Sequence, residues 1–294
     1  MQLSINKSHH IIYKAILTLD FFIMRNINLY FKLCLVLVFL FMVACSDENS
    51  IHNFPGGTSA RLLPVKISGE KNGGQTILIY DNYNRLVNCC YYLKSGGGLS
   101  KYNELKIEYD TQGRIKKTIE QISGGENNVY LFTYDESQIV IQDTYYTRYI
   151  DADAEGRILG MKQSYNNDRN TSVVYNYSYD QKGNITKYDL NNNYYSYVYD
   201  NYNGMYSYVN TPQWFLVIML GKSNFVYNNC TEIYTYSLDE NGKEQAPVTF
   251  KLTYTYNDNG YPVKYHIPNM SFCGTPPLPE SDFKIEYQEV KDVK

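Results

Sequence analysis

A short phrase, Tyr-Asp-x-x-Gly followed by Arg-Ile or a close equivalent, recurs along this chain and limits what it can fold into. Full copies stand at Tyr80-Asp81 to Asn84-Arg85-Leu86, Tyr109-Asp110 to Gly113-Arg114-Ile115, Tyr179-Asp180 to Gly183-Asn184-Ile185, Tyr199-Asp200 to Asn203-Gly204, and Tyr256-Asn257 to Gly260-Tyr261. Weaker copies stand at Tyr134-Asp135, at Asp153 to Gly156-Arg157-Ile158, and at Asp239 to Gly242-Lys243. The phrase has the chemistry of a tight turn. Asp or Asn at its start bonds the backbone two residues on, and Gly or Asn later supplies the positive φ of a bulged hairpin. The tyrosine ends the incoming strand and Arg-Ile opens the outgoing one. Spacing of roughly twenty to thirty residues fits a strand pair with a variable outer loop.

The segments between turns alternate with a period of two. In Leu105-Lys106-Ile107-Glu108-Tyr109 and Phe283-Lys284-Ile285-Glu286-Tyr287 the apolar residues share one face and the charges the other. Tyr195 to Tyr199 and Leu252 to Tyr256 alternate likewise. The expected fold is all-β, an antiparallel meander of roughly sixteen strands, too many for a flat sheet and therefore rolled into a barrel-like shell. A membrane-spanning barrel would show similar alternation with its apolar face outward, but hydroxyl-bearing tyrosines would crowd that face.

Tyrosine is the compositional outlier, with 33 residues against 12 Phe and 1 Trp. It is favoured in strands and lies half-buried with its hydroxyl wet, so its abundance first means amphipathic sheet faces. The sharper reading is a glycan-binding platform, for which Trp214, Tyr194, Tyr195 and Tyr202 are the candidate ligand-facing aromatics. One segment breaks the pattern. Thr211-Pro212-Gln213-Trp214-Phe215-Leu216-Val217-Ile218-Met219-Leu220-Gly221 has an N-cap residue, a first-turn proline, an apolar body and a closing glycine. It predicts one short buried helix that plugs or caps the shell.

Upstream, Leu33 to Ala44 is an uncharged apolar run with Arg25 and Lys32 before it and Cys45 after it. Basic, apolar and small in that order is a cleavable secretory signal, too short for a comfortable membrane span. Residues 1–23 then read as an upstream extension with Met24 the true start, 24–44 as a lipoprotein signal peptide, 45–60 as a flexible tether and 61–294 as a single β-meander domain. Cys45 is the expected lipidation site, and the membrane a partner through that anchor. Removing residues 1–44 takes Lys7, Lys14, Arg25, Lys32 and Asp20 out of a chain of net charge −3. The remainder carries about −6 with no basic block, which argues against nucleic acid.

Chemistry-bearing clusters are few. Beyond the signal and anchor the cysteines are Cys89, Cys90, Cys230 and Cys273, with no Cys-x-x-Cys or Cys/His metal spacing; they read as buried small residues or as one bridge such as Cys230 to Cys273. His52 lies on the tether and His266 near a strand end, and no nucleophile-elbow phrase is present. Asp151-Ala152-Asp153-Ala154-Glu155-Gly156 imitates half a calcium loop, but Lys162 stands where a bidentate Glu is required, so it reads as another turn. The expectation is no enzyme, no cofactor and no metal site. A carboxylate pair for glycoside hydrolysis is the least implausible catalytic alternative.

Two resemblances add to this. The Tyr-Asp-x-x-Gly-Arg-Ile phrase resembles the YD repeat of large β-shell toxin-associated proteins. Val43-Ala44-Cys45, the meander, and the apolar segment ending in Gly221-Lys222-Ser223-Asn224 together resemble a Bacteroidetes lipoprotein family of unknown function with a porin-like fold. Where the chain departs from clean repeat units, as at Asp151-Ala152-Asp153, an irregular shell is expected. Ser46-Asp47-Glu48 is similar to the export tag of Bacteroidetes-type surface lipoproteins, which implies an outer-membrane location, surface-exposed or alternatively facing the periplasm. The functional expectation is a non-catalytic envelope protein that binds a glycan or an envelope partner; the alternative is a structural scaffold of the envelope.

Overall fold

The computed structural model describes residues 60–70, 73–95, 97–135, 138–166, 168–190, 193–221, 226–238, 243–270 and 279–291. The segments expected to form the signal peptide and all but the last residue of the expected tether, with Cys45, together with Cys273, the Asp239 phrase and Lys222-Ser223-Asn224, lie outside the described residues.

The elements in chain order are β1 (Leu62–Gly69), β2 (Gln75–Tyr80), β3 (Leu86–Ser95), β4 (Gly98–Tyr109), β5 (Ile115–Ile122), β6 (Asn127–Tyr134), β7 (Gln138–Gln142), β8 (Tyr146–Ala152), β9 (Ile158–Tyr165), β10 (Asp168–Tyr179), β11 (Ile185–Leu190), β12 (Asn193–Tyr199), α1 (Gln213–Ile218), β13 (Cys230–Tyr236), β14 (Val248–Lys251), β15 (Thr253–Tyr256), β16 (Pro262–Ile267) and β17 (Ser281–Glu289). All strands belong to one antiparallel sheet in which each pairs with its sequence neighbour except β14 and β15, which run on end to end, and β17 returns to pair with β1 from Leu62↔Glu289 to Gly69↔Phe283. The ring closes and, among the described residues, leaves no edge strand. Between β14 and β15 only Leu252 intervenes, and its amide still donates to the Thr231 carbonyl at 2.9 Å. The two are one stave broken at a single residue, so the barrel has the expected sixteen staves.

Five turn phrases, at Asp81, Asp110, Asp153, Asp180 and Asn257, work as their chemistry demands. Asp110 Oδ1 accepts the amides of Gln112 and Arg114, both at 2.9 Å, while Gly113 sits at φ +80°. Asp81, Asp153, Asp180 and Asn257 repeat the pattern. Asn84 holds the glycine place at φ +60° because its amide side chain does further work: Nδ2 donates to Lys291 O and Oδ1 accepts from Lys291 N, tying down the last described residues. The expected irregularity at Asp151-Ala152-Asp153 is not found. The β8/β9 register runs from Tyr146↔Tyr165 to Ala152↔Ile158 with the same single shift seen before the other turns.

One copy of the phrase departs from the sequence reading. Asp200 does not close a local turn through Gly204. Its amide donates to Asn229 O at 3.0 Å and its Oδ1 accepts from Asn229 N at 3.1 Å, the two bonds that Asp81 makes with Arg85 in an ordinary turn. Residues 201–228 are therefore spliced into a standard hairpin. Of these, the described residues 201–221 and 226–228 lie at the barrel end, and they bond four other turns: Asn203 N to Gly260 O, Asn210 N to Asn84 O, Trp214 N to Gly156 O and Gln213 Nε2 to Gly183 O. This insertion carries α1, the buried plug predicted from Thr211 to Gly221. The capping detail differs. Pro212 occupies the N-cap, and the Thr211 hydroxyl instead accepts from Leu86 N at 2.8 Å and lies 3.2 Å from Tyr109 OH, because the barrel wall offers it partners closer than the helix does.

Alternation decides the faces. Leu105, Ile107, Ile115, Ile141, Ile150 and Ile158 are buried in a core with Phe215 and Leu216 of the plug. Outward residues carry ion pairs such as Lys66–Glu286 at 2.7 Å and Lys251–Glu232 at 3.3 Å, mixed with single exposed apolar residues such as Leu131 and Val198. A lipid-embedded barrel distributes polarity in reverse, with an outward apolar band and a polar interior.

Candidate functional site

The tyrosine of the turn phrase has a role the sequence reading missed. Its hydroxyl donates across the barrel rim to the residue that opens the outgoing strand of the preceding hairpin. Tyr109 reaches Leu86 O and Tyr134 reaches Ile115 O, both at 2.8 Å; Tyr199 reaches Ile185 O at 2.9 Å and Tyr287 reaches Pro262 O at 2.7 Å. Tyr179 does the same to Ile158; Tyr80 reaches Pro64 O inside β1, and in β15 the link to Cys230 O is made by Tyr254, because the phrase tyrosine, Tyr256, bonds Asp200 instead. Only at β8 does Ala152 stand in the tyrosine's place, and there the collar lacks a link. Burial pushes Tyr109 up to about 12 against its bond to Thr211, so the collar stays protonated and donates throughout the physiological range.

With the plug and collar closing one end, the inward positions further along the strands change character. Inward neighbours of the core on β5, β8 and β9 are Glu120, Arg148 and Gln163, opposite Leu105, Ile141 and Arg148 respectively in the register. On β10 and β11 the inward residues are Tyr175, Tyr177 and Tyr188. These side chains, with Tyr130 and the end of α1 from Val217 to Met219, line a cavity of about 380 Å³. That is the size of a small-molecule site.

The two walls differ. On the polar side the hydrogen bonds are already made: Glu120 accepts from Asn103 Nδ2 at 2.7 Å, Tyr130 OH at 3.1 Å and Asn128 Nδ2 at 3.3 Å. Arg148 donates Nε to Gln163 at 2.8 Å and Nη1 to Asp143 at 3.3 Å. Such a belt holds its groups in place before any ligand arrives. On the other side the Tyr175 and Tyr188 rings stack at 5.9 Å, Tyr177 lies 5.1 Å from Tyr188, and Tyr195 extends the stack at 5.5 Å. Burial, then the neighbouring Glu120 carboxylate, pushes Tyr130 up to about 12, and burial raises Tyr175, Tyr177 and Tyr188 as well. All four are neutral hydroxyls at physiological pH, suited to hydrogen bonding and stacking.

The aromatics proposed from sequence do not converge. Trp214 is 2% exposed in the plug, 5.8 Å from Phe132. Tyr194 faces outward, stacked on Tyr236 at 4.2 Å, with its hydroxyl on Glu244. Tyr202 lies at the plugged end against Tyr256 at 4.1 Å. Only Tyr195 is next to the cavity. Glu120, Arg148 and Gln163 were missed, and the signal that marks them is their place on the inward face: in β8, Tyr146, Arg148 and Ile150 share it.

The other sequence candidates have structural partners. Asp153 is a turn residue bonded to Arg157 at 2.6 Å, and among the described residues no three His, Cys, Asp or Glu side chains gather as metal ligands. His266 pairs on the outer face with Asp282 at 2.8 Å. Cys230 is a fully buried thiol, pushed up to about 12 by burial.

Fold and site together define a closed antiparallel meander barrel with one plugged end and an internal tyrosine-lined cavity. The sequence matches no protein-family profile and no curated protein. Among solved structures it is similar to a porin-like protein from Bacteroides uniformis ATCC 8492 (12% identity, 79% of this chain and 99% of that one, TM-score 0.35). A porin-like protein from Bacteroides vulgatus ATCC 8482 is comparable (13% identity, 77% and 99%, TM-score 0.37). So is the TcdB2-TccC3 complex without its hypervariable C-terminal region (15% identity, 67% of this chain and 11% of that one, TM-score 0.26).

Proposed function

We propose that this chain is a lipid-anchored protein of the outer cell envelope that binds a glycan segment in its internal cavity without altering it chemically. The observation that carries the reading is the cavity's two-sided lining, a stacked tyrosine wall facing a belt of pre-paired Glu120, Arg148 and Gln163. A sugar ring has the matching chemistry, with apolar C–H faces that pack on aromatic rings and hydroxyl edges that exchange hydrogen bonds. The closed β17–β1 seam favours ligand binding over scaffolding, since no described edge strand is left for a partner strand to join. Neutral tyrosines and pairs already satisfied favour holding a ligand over transferring a proton. The signal, Cys45 and Ser46-Asp47-Glu48 support the anchor and a surface position.

The test is a polysaccharide array probed with the mature domain. Binding to one glycan class at up to millimolar oligosaccharide is expected, and a blank array at that concentration contradicts the reading.

A further inference from the structure

The cavity lining carries one cation, Arg148, and one carboxylate, Glu120, and the two are partnered differently. Arg148 is matched by Asp143, whose Oδ2 lies 3.3 Å from Nη1 and whose Oδ1 accepts the amides of Tyr145 and Tyr146, both at 2.7 Å. Glu120 has no such match. Its three partners, Asn103, Asn128 and Tyr130, are neutral, and among the described residues no Lys, Arg or His pairs with it. A carboxylate facing an enclosed space beside four phenol rings is an attractive setting for a cation. Both the carboxylate and the ring quadrupoles favour positive charge, and partial exclusion of water strengthens each.

We infer that the ligand of this cavity carries a protonated amine, so that within the glycan reading, on which this rests, the sugar is an amino sugar with its amine free rather than acetylated. The ammonium would pair with Glu120 at its remaining lone pair, on Oε1, since Oε2 already accepts from Asn128 and Tyr130, while the pyranose ring lies toward Tyr175 and Tyr188. Acetylation removes the charge and adds bulk at the same atom, so it separates the two ideas cleanly.

The experiment is calorimetric titration of the mature protein, slightly below neutral pH, with a glucosamine tetrasaccharide and with its fully N-acetylated counterpart. The free-amine form is expected to bind at least about tenfold tighter, the scale of one charge-assisted contact. Glu120→Gln should remove that preference. The wild-type comparison stands alone if the variant folds poorly. Equal binding of both forms, or a preference for the acetylated one, overturns the amine inference and leaves glycan binding intact. Binding of neither also overturns the amine inference, and the array result alone then decides the glycan reading.

Discussion

The Arg85 guanidinium lies 4.2 Å over the ring of Tyr109, a residue of the next hairpin, while its Nη2 is 2.6 Å from Asp81 of its own turn. Arg114 repeats this over Tyr134 and Arg157 over Tyr179. The whole phrase thereby acquires one purpose. Asp shapes the turn and holds Arg, Arg covers the neighbouring tyrosine, and that tyrosine bonds the carbonyl of the residue after Arg. Each hairpin is fastened to the next, and repetition around the ring makes the collar.

Removing one hydroxyl from the collar should therefore cost stability at that seam. Tyr109→Phe is expected to lower unfolding stability by about 0.5–1.5 kcal/mol in a denaturant titration, since it leaves the Leu86 carbonyl without its donor. Tyr83→Phe, on a side chain 54% exposed, should change it by less than about 0.5 kcal/mol. Equal effects would refute the collar. The collar also predicts alkaline behaviour. A tyrosine raised in the folded state adds stability below its unfolded value of about 10, which is lost as pH climbs through its folded value, about 12 for Tyr109. The phenolate absorbance that Tyr109 contributes, read as the difference between wild type and Tyr109→Phe, should accordingly appear in step with unfolding rather than before it.

The turn carboxylates predict the acid limb. Burial raises Asp153, but the Arg157 amide and guanidinium outweigh it and hold the carboxyl below its ordinary range. A depressed folded value gives stability that is complete above the unfolded pKa of about 3.9 and disappears as pH falls through the folded one. Asp153→Asn should be less stable than wild type at neutral pH, with the gap closing in acid below about pH 4. A gap independent of pH would show that the charge does not matter.

Much of this was legible beforehand, for reasons that are local. Asp-x-x-Gly turns and the alternation of Leu105 to Tyr109 depend on residues close in sequence, and so do the plug's apolar body and flanking Pro212 and Gly221. The misses involve partners far apart. Asp200 follows a strand-ending tyrosine just as Asp180 does, yet its turn closes on Asn229, and nothing near Asp200 announces a detour. Thr211 has the pattern of a cap but bonds a strand 125 residues away. Arg148 lies between Thr147 and Tyr149 in a strand without clean polar alternation, so its inward direction follows only from the register with Ile141 and Gln163.

The anchor makes a separate prediction. Cys45→Ala should abolish incorporation of radiolabelled fatty acid and release the protein from the membrane fraction, with the barrel still folded. Continued labelling of that variant would exclude Cys45 as the attachment site. In intact cells, digestion by added protease would support the surface position, and protection would assign it to the periplasmic side.

The account stands most directly on the cavity itself. Ile218→Trp places an indole from the end of α1 into the cavity that Tyr177, Tyr188 and Met161 also line, at a residue that makes none of the collar or turn hydrogen bonds described above. Titrated with the best glycan from the array, this variant should lose binding by more than about a hundredfold while its thermal midpoint stays within a few degrees of wild type. Unchanged affinity in a well-folded Ile218→Trp protein would contradict the account, because the ligand would then bind somewhere other than the cavity.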